Sequence, residues 1–595
     1  MNRDAGKKVY EFKGFRLDGP QRRLLHHGQP VQLKSKIFDL LLFLVEMRGQ
    51  LIEKDELMKE IWPDTIVEEN NITVSMSVLR KILGEERLGR EFIETVPRRG
   101  YRFVAEVKEI PVIPLRTETG AGAIQAVAYE SSEAETPIDS LAILPVRSDS
   151  EDQNVEYLSD GITEAIINTL SQIPKLRVLA RSTVFRFKAK DVDPQEVGKL
   201  LNVRAVMLIR VAQWADTLII KSEMVRVFDG TQIWGQQYNR RPSDLLVIQE
   251  EIAKDISESL KLKLTLQQQT RLTKRYTENS EAYKLYMRGR YFWNRYSKEW
   301  VLKSIEAFKQ AIAIDASYAL AYSGMADAYF RLSNIHMPPR MVLPKAKEAA
   351  LKAVEIDDDL AEAHASLGLV RVYFDQDWTA AESEFKKCLE LNPDFVPAHQ
   401  RYGSYLAFIG RFEESLKHYR HAIELDPFSL QINMNIATNY YLMGESDTAI
   451  SHLEKTLELE PDYMPTHFVM GCAYIQKGEL VKAIEEFQYI YKLDEESYMA
   501  LGFMGYAHAL AGQMDEARNL LNILKDISLR SYVSPYSFVV IYLGLGLKDE
   551  ALELLEHLYE EKNDWMVWLK VSPELKILRD DFRFKDLISR IGFPK

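Results

Sequence analysis

The chain opens with short segments in which apolar and polar residues alternate, and this pattern predicts a small domain of strands and helices. The segments VYEFKGFRLD and RRLLHHGQPVQL alternate with a period of two residues and contain turn-forming residues, which is typical of β-strands. An apolar stripe with helical spacing predicts a helix from Ser35, and EKDELMKEIWP predicts a second, shorter helix. We expect a third helix at residues 70–83 and two closing strands at residues 92–96 and 101–104.

Residues 108–137 are rich in Pro, Gly, Ala, Ser, Thr and Glu, so we expect a linker between the first domain, residues 1–107, and the second. The stretch GAGAIQ in this linker lacks the third glycine and the strand–helix context of a dinucleotide-binding loop. Residues 138–268 alternate between buried-strand runs such as SLAILPV and helical runs such as LSDGITEAIINTLSQI, which predicts an α/β domain.

Residues 269–595 contain a repeat. Pro393, Pro427 and Pro461 follow one another at intervals of 34 residues, and two amphipathic helices with a Gly-containing turn fill each interval. This helix–turn–helix period is the signature of tetratricopeptide repeats, and the chain has room for about seven or eight of them. One helix pair cannot bury both of its faces, so the pairs are expected to stack into an all-α superhelix.

The charges are distributed unevenly along the 595 residues. The net charge is −12, yet residues 1–107 carry 19 Lys and Arg against 17 Asp and Glu, and residues 71–104 carry seven basic residues against four acidic ones. A locally basic patch on an acidic chain indicates a polyanionic partner for the N-terminal domain alone. Hydrophobic content of 46% and charged content of 28% are those of an ordinary globular protein.

No motif for catalysis or for metal binding is visible in the sequence. GxSxG, GxxxxGK[ST] and HExxH are absent, the neighbouring His26 and His27 point to opposite faces of a strand, and the distant Cys388 and Cys472 are expected to be buried apolar residues. We therefore predict no enzyme, no cofactor and no metal site. The longest apolar run is too short to span a membrane and no signal peptide is visible, so we expect a soluble, cytoplasmic, nucleoid-associated protein without membrane contact.

The outward face of the predicted third helix has the residue types that read DNA. On a helical wheel Ile72, Met76, Leu79 and Leu83 share the core face, and the opposite face consists of polar, basic and small apolar residues. Amide, basic and methyl-bearing side chains contact adenine, guanine or phosphate, and thymine respectively. The outward residues are Asn70, Asn71, Thr73, Val74, Ser77, Arg80 and Lys81, with Val78 beside them.

The hairpin FIETVPRRGYRF has the features of a DNA-binding wing. Pro97 fixes one φ and Gly100 can take a positive φ, so we expect the turn at the tip to be tight. Tyr101 and Phe103 alternate inward, whereas Arg98, Arg99 and Arg102 are left to face phosphates. Two helices followed by this hairpin predict a winged helix-turn-helix.

NNITVSMSVLRKILGEE followed by FIETVPRRGYRFVAEV closely resembles the OmpR/PhoB-type winged helix, and most of all its CadC/ToxR-like branch. The resemblance covers residues 9–106. It implies that the third helix is the recognition helix and that the hairpin is a wing, with Ser77, Arg80, Lys81, Arg98, Arg99, Tyr101 and Arg102 as DNA-facing or wing positions. The membrane helix of CadC and ToxR and a receiver domain are both missing from this sequence.

The middle region, with LAILPV, YLSDGITEAIINTLSQI and IWGQQYNR, resembles the TolB N-terminal-type domain. The fold class that we predict is therefore multidomain α+β: a winged helix-turn-helix, an α/β TolB N-terminal-like domain and a tetratricopeptide superhelix. The predicted function is a one-component, signal-responsive transcriptional regulator. It is expected to bind double-stranded DNA, with a homodimer on the DNA as one arrangement, and to bind a protein or peptide partner through its repeats. The alternative is an interaction scaffold whose winged helix does not bind DNA.

Overall fold

The computed structural model forms two compact units, residues 1–127 and residues 128–595. The second unit contains both the predicted α/β region and the repeats. Within the described part of the chain, no helix is long and apolar enough to cross a membrane. The structure describes residues 9–18, 23–26, 29–31, 35–61, 72, 75–76, 79–80, 82–83, 92–96, 99–110, 137–145, 153–173, 175–188, 192–214, 217–241, 244–260, 265, 274–295, 297–335 and 337–594.

The first unit contains two antiparallel sheets and the helices between them. Strands β1 to β4 and β8 form a five-stranded sheet in the order β4-β3-β2-β1-β8, and a three-stranded sheet has the order β5-β7-β6. The elements are β1 (Val9–Phe12), β2 (Phe15–Asp18), β3 (Arg23–His26), β4 (Gln29–Val31), α1 (Ser35–Glu46), β5 (Ile52–Glu53), α2 (Lys54–Ile61), β6 (Ile93–Val96), β7 (Gly100–Phe103) and β8 (Lys108–Ile110). This arrangement confirms the predicted order of strands, helices and closing hairpin.

The third predicted helix supplies part of the core of the first unit. Ile72, Met76 and Leu79 are described as helical and are at most 1% exposed. They pack with the aliphatic side chains of α1 and with Phe103 in one cluster. The inward face that the sequence predicts for this helix is confirmed, because its apolar stripe is buried.

The predicted start of the linker at residue 108 is wrong by a few residues. Lys108–Ile110 instead forms β8, which pairs antiparallel with β1 and satisfies the backbone groups at that edge of the sheet.

The middle region is a five-stranded sheet in the order β10-β9-β11-β12-β13. Strand β9 pairs parallel with β10 and β11, whereas β11, β12 and β13 run antiparallel. Its elements are β9 (Ser140–Pro145), α3 (Gln153–Leu170), β10 (Arg177–Val178), α4 (Arg181–Val184), α5 (Pro194–Leu200), β11 (Ala205–Trp214), β12 (Thr217–Arg226), β13 (Gln232–Arg240) and α6 (Leu245–Ser259), with a 3₁₀ turn at Phe185–Phe187.

Eight helix pairs follow. The fourth to seventh pairs begin 34 residues apart, at Val396, Leu430, Met464 and Tyr498, and the intervals between the other pairs are longer. The helices are α7 (Ser280–Trp293), α8 (Lys298–Ile314), α9 (Ala319–Ile335), α10 (Pro339–Ile356), α11 (Ala361–Val370), α12 (Trp378–Leu391), α13 (Val396–Phe408), α14 (Phe412–Leu425), α15 (Leu430–Met443), α16 (Ser446–Leu459), α17 (Met464–Lys477), α18 (Leu480–Leu493), α19 (Tyr498–Leu510), α20 (Met514–Ser528), α21 (Tyr536–Gly544) and α22 (Lys548–Glu560). A π turn at Arg371–Asp375 extends α11, and 3₁₀ turns at Asp564–Trp568 and Pro573–Leu578 precede α23 (Phe582–Ile591).

Each of several pairs is joined by a glycine on its first helix and an aromatic ring on its second. A Cβ atom placed on Gly403 would lie 2.8 Å from the ring of Tyr419, so only glycine lets the two helices approach this closely. Phe385 and Phe487 take the same position in the third and sixth pairs. Cys388 and Cys472 are both buried and free, which confirms that they serve as core residues.

A buried ion-pair network holds the α/β region against the first repeat. Arg290 of α7 donates from Nε at 2.9 Å and from Nη2 at 2.7 Å to Glu164 Oε1 on α3. Arg181 Nε lies 3.0 Å from the other oxygen of Glu164. Burial alone would raise the pKa of Glu164, but the two guanidinium groups outweigh burial and hold this pKa below its usual value.

The same region also contacts the corner between the fourth and fifth repeats. Thr183 Oγ1 donates to Asp426 Oδ1 at 2.6 Å, and the Ser182 hydroxyl donates to the other carboxylate oxygen. The backbone N–H of Ala180 donates to the carbonyl of Leu425 at 2.9 Å. The α/β region is therefore tied to the array at two places that lie far apart in the repeat order.

The array also closes on itself. The indole N–H of Trp378, at the start of α12, donates to the carbonyl of Ile591 at 3.0 Å, and its ring lies 4.6 Å from that of Phe593. The rings of Phe408 and Trp568 are 4.5 Å apart. Contacts thus join the third and fourth repeats directly to the C-terminal segment.

Candidate nucleic-acid interface

The hairpin of β6 and β7 is tight and regular. Its strands pair antiparallel from Ile93↔Phe103 to Val96↔Gly100, and the backbone N–H of Arg99 donates to the carbonyl of Val96 at 3.0 Å to close the turn. Arg99 is exposed. The turn therefore presents Arg99 at the tip, as the sequence predicts.

Aromatic residues anchor the hairpin in the domain core. Tyr101 is 5% exposed and Phe103 is fully buried, so both rings of β7 face inward. Tyr101 is therefore a wing position whose ring supports the hairpin from within.

Gly100 is required for a different reason from the predicted one. Its φ is not among the positive values in the described residues, so the tight turn does not use the left-handed conformation that glycine can take. A Cβ atom at this position would lie 1.9 Å from the carbonyl oxygen of Ile52 in β5, which pairs with β7. Glycine is needed because the backbones of two strands meet there.

Arg102 projects from the opposite face of β7 and has an acidic neighbour. It lies across from Glu94 in the ladder, and its Nη1 atom is 3.3 Å from Glu94 Oε2. Both side chains are about one-third exposed, with 39% for Arg102 and 30% for Glu94. This surface pair leaves the guanidinium accessible, because a partly solvated ion pair of this kind is weak.

Arg80 connects the third helix to the hairpin. Its Nη2 atom donates to the carbonyl of Ile93 at 2.9 Å and to Thr95 Oγ1 at 2.6 Å. These bonds fix the helix relative to β6. The sequence contains no local pattern for this contact, because the partners are 13 and 15 residues away.

The remaining predicted site residues lie outside the described part of the chain. They are Asn70, Asn71, Thr73, Val74, Ser77, Lys81 and Arg98. The structure thus brings Arg80, Arg99, Tyr101 and Arg102 together around one hairpin. Exposed guanidinium groups at a hairpin tip can donate to phosphate oxygens and release counterions.

Matches to known families define the class of both ends of the chain. Residues 28–103 match the family described as "Transcriptional regulatory protein, C terminal", and residues 396–429 match the tetratricopeptide repeat family. The N-terminal domain is an OmpR/PhoB-type winged helix, and the C-terminal array is built from tetratricopeptide repeats.

Individual relatives match larger or smaller parts of the chain. Transcriptional regulator HilA of Salmonella typhimurium is 24% identical over 423 residues, which are 69% of this chain and 70% of HilA. Transcriptional activator CadC of Escherichia coli is 32% identical over 99 residues, which are 16% of this chain and 18% of CadC. The solved DNA-binding domain of CadC, at 28% identity, covers 18% of this chain and 98% of that domain with a TM-score of 0.16.

A third relative comes from another functional class. The Rhizobium meliloti protein named "Putative adenylate cyclase 3" is 30% identical over 237 residues, which are 39% of this chain. The match spans 40% of that protein, so more than half of its length lies outside the match. Within the described residues, no group of three His, Cys, Asp or Glu side chains could hold a metal ion.

Proposed function

We propose that the chain is a one-component transcriptional regulator that binds double-stranded DNA through its winged helix and a protein or peptide partner through its repeats. The observation that carries the proposal is the hairpin of β6 and β7, within a domain that matches the OmpR/PhoB type. Buried Tyr101 and Phe103 fix this hairpin and leave Arg99 and Arg102 accessible. The proposal assigns no catalysis to any part of the chain.

The contacts with DNA bases are assigned to the predicted third helix of the first domain, at residues 70–83. Asn70, Asn71, Thr73, Val74, Ser77 and Lys81 are the proposed groove-facing residues, whereas Arg80 holds the helix on β6. Asn71 and Lys81 carry the side chains that suit adenine and guanine edges. Changing either residue is therefore expected to alter the preferred sequence rather than the affinity for all DNA.

The phosphate-contact role of the wing is tested by removing its two tip charges. In the full chain, Arg98→Ala with Arg99→Ala is expected to weaken binding to every duplex. It should make the negative slope of log K against log salt less steep, by about 0.9 for each lost phosphate contact. Fluorescence anisotropy titrations at four or more salt concentrations measure this slope.

The control for the wing variant is Lys54→Ala with Lys59→Ala, which removes two charges from α2. An unchanged salt slope in the wing variant would contradict the phosphate contacts. No binding of the unmodified full chain to random duplex DNA at low salt would instead favour the alternative, in which the repeats act as a scaffold and the winged helix does not bind DNA.

The partner of the repeats is proposed from the tetratricopeptide fold, since such arrays present extended surfaces to other chains. The described surface of the later repeats includes apolar side chains that face solvent. Val481 is 71% exposed and Leu529 is 84% exposed. The TolB N-terminal-like region is proposed to sense or relay a signal, because it contacts the array at Glu164 and at Thr183.

A further inference from the structure

The first repeat carries a strongly basic segment that the winged helix does not account for. Residues 284–303, which include the stretch MRGRYFWNRYSKEW, contain six basic residues and one acidic residue. Everything after residue 107 together has a net charge of −14, because the chain total is −12 and the first 107 residues contribute +2. A basic segment in so acidic a region points to an anionic partner at this place.

The cations of this segment stack on aromatic rings. The guanidinium of Arg288 lies 5.4 Å from the ring of Phe292, which lies 5.3 Å from the ring of Trp300. The guanidinium of Arg295 lies 4.6 Å from Trp300 and 4.5 Å from Tyr291. We call this set of residues the cation ladder. It consists of Arg288, Tyr291, Phe292, Arg295 and Trp300, together with Lys298 and Lys303.

The ladder lies on the outer side of the first repeat. Arg288, Phe292 and Arg295 are spaced i, i+4 and i+7, so they share one face of α7 and its end. Another face of α7 carries Met287 and Arg290, which pack against the α/β region. Arg288, Arg295, Lys298 and Lys303 are all exposed.

Acidic neighbours neutralise only part of this charge. Glu299 pairs with Lys303 at 2.6 Å. Glu156 accepts a hydrogen bond from Tyr291 at 3.3 Å and lowers the local potential near Arg295, but it also pairs with Lys188 at 2.8 Å. Arg288, Arg295 and Lys298 therefore leave an excess of positive charge on the ladder.

The stacking decides which part of a nucleic acid fits. Phe292 and Arg295 lie against Trp300, and Lys303 Nζ is 4.3 Å from the same ring. Bases of a single strand need an open aromatic face, and these rings are already covered. A guanidinium stacked on a ring keeps its N–H edge available for bonds to phosphate. Arg295 Nη2 donates to the Tyr291 hydroxyl, so the other N–H groups of Arg295 remain for phosphate.

We propose that the cation ladder is a second DNA-contact surface that binds the phosphate backbone of duplex DNA at a segment other than the one held by the winged helix. This inference rests on the proposed function. A duplex held by the winged helix is present at a high effective concentration for the ladder, so a few added phosphate contacts are enough to engage it. The contacts carry no sequence information, because phosphates are the same in every sequence.

The test compares the full chain with the variant Arg288→Gln, Arg295→Gln, Lys298→Gln on two random-sequence duplexes. One duplex has about 16 base pairs, enough for one winged helix, and the other has about 60. We expect the unmodified chain to show a steeper salt slope on the long duplex. The variant should make that slope less steep by about 2 to 3, since each lost phosphate contact contributes about 0.9. On the short duplex the two proteins should give the same slope.

A matched control removes the same charge elsewhere. Arg518→Gln, Lys525→Gln, Arg530→Gln takes three cations from α20 and its end and should leave both slopes unchanged. The variant Arg288→Lys, Arg295→Lys keeps both positive charges but replaces the planar guanidinium groups that stack on the rings. It should therefore retain most of the slope of the unmodified chain. Retention of the slope in this variant separates loss of charge from damage to the fold.

Equal slopes for the ladder variant and the unmodified chain on the long duplex would overturn the inference and leave the winged-helix proposal standing. Failure of the unmodified chain to bind either duplex would overturn both. Polyglutamate added at the same charge concentration is expected to compete far less well than duplex DNA. Equal competition that depends on the ladder would make an acidic protein segment the partner and would also overturn the assignment.

Discussion

At the scale of single residues, the array carries a histidine pair whose protonation state follows from its contacts. His399 Nε2 lies 2.6 Å from the carbonyl of Pro393, which can only accept, so this nitrogen carries the proton. His399 Nδ1 lies 2.9 Å from His418 Nδ1, so one of these two nitrogens donates and the other accepts. Burial lowers the pKa of both His399 and His418, which favours the neutral form of each ring.

The surroundings of His399 disfavour its charged form. Burial, followed by the neighbouring rings of His421 and His418, lowers the pKa of His399 to about 4, although the carbonyl of Pro393 and the carboxylate of Asp394 act in the opposite direction. The unfolded chain has a pKa near 6.5 at this residue, so it takes up a proton more readily than the folded chain. Stability from this residue is present above pH 6.5 and is lost as the pH falls toward 4.

We expect His399→Asn to reduce the acid sensitivity of the array. Asparagine occupies the same repeat position at Asn433, where its Nδ2 atom donates to the carbonyl of Ser429 at 2.9 Å. A shift of this size costs the unmodified chain about 2 kcal/mol between pH 7 and pH 5, and the variant should avoid this loss. Urea denaturation of the full chain at both pH values measures the difference.

His364→Asn is the matched control, with the opposite sign. Burial lowers the pKa of His364, but hydrogen bonds to Glu384 and to the carbonyl of Asp358 outweigh burial and raise it above its usual value. Its contribution to stability is therefore present below pH 6.5 and is lost as the pH rises through the raised pKa. This variant should become more sensitive to acid, and the same response in both variants would argue against the assigned protonation states.

At the scale of elements, a short segment joins the α/β region to a corner of the array. Arg186 donates to the carbonyls of Phe428 at 3.3 Å and Leu459 at 3.2 Å, in addition to the hydroxyl contacts with Asp426. Burial raises the pKa of Asp426 despite the hydrogen bonds from Ser182 and Thr183. The segment thus contacts two successive repeat corners, at Asp426–Phe428 and at Leu459, mainly through hydrogen bonds to backbone carbonyls.

Asp426→Ala is expected to release this segment, because the Ser182 and Thr183 hydroxyls lose their shared acceptor. Thr183 is buried, and a buried hydroxyl left without an acceptor costs about 1–3 kcal/mol, whereas the exposed Ser182 hydroxyl can turn to water. Hydrogen exchange of residues 177–188 should become markedly faster in the full chain. Asp426→Asn keeps one oxygen and should have a smaller effect.

Asp494→Ala provides the control, because Asp494 takes the same repeat position two repeats later and its carboxylate accepts from the backbone of Glu496. It should leave exchange in residues 177–188 unchanged. Unchanged exchange in Asp426→Ala as well would mean that the hydroxyl contacts do not hold the segment.

The sequence predicts elements well where the information is local. The helices of the repeats and the strands at 93–96 and 100–103 follow from periodicity, because each depends on side chains a few residues apart. The reason for Gly100 could not be predicted, since it depends on Ile52 in another strand. The bond between Thr183 and Asp426 spans 243 residues and leaves no periodic trace.

At the scale of the whole second unit, closure of the array changes how it should unfold. In an open repeat array each pair contacts only its neighbours, so stability is close to a sum of local terms. Here Trp378, which is 3% exposed, contacts Ile591 and Phe593, and Arg340 pairs with Glu561 at 2.9 Å. The contacts of Trp378 make the C-terminal helix depend on the third repeat, and the Arg340 pair joins the second repeat to the end of α22.

Trp378→Ala should separate the C-terminal segment from the third repeat. Truncating a buried tryptophan costs about 3–5 kcal/mol, whereas Trp378→Phe keeps most of the packing and loses one hydrogen bond worth about 1 kcal/mol. We expect hydrogen exchange of residues 582–591 to rise strongly in the alanine variant and slightly in the phenylalanine variant. Equal protection in all three proteins would show that neighbouring contacts alone hold α23.

The corner contact at Asp426 also has a consequence during protein synthesis. Ser182 and Thr183 leave the ribosome about 240 residues before their acceptor does, which at about 5–20 residues per second is an interval of roughly 12–50 s. From the synthesis of residue 268 onward the α/β region is complete in sequence, but the corner at Asp426 that covers part of it does not yet exist. Slower translation of the first repeats would lengthen its exposure to chaperones and proteases.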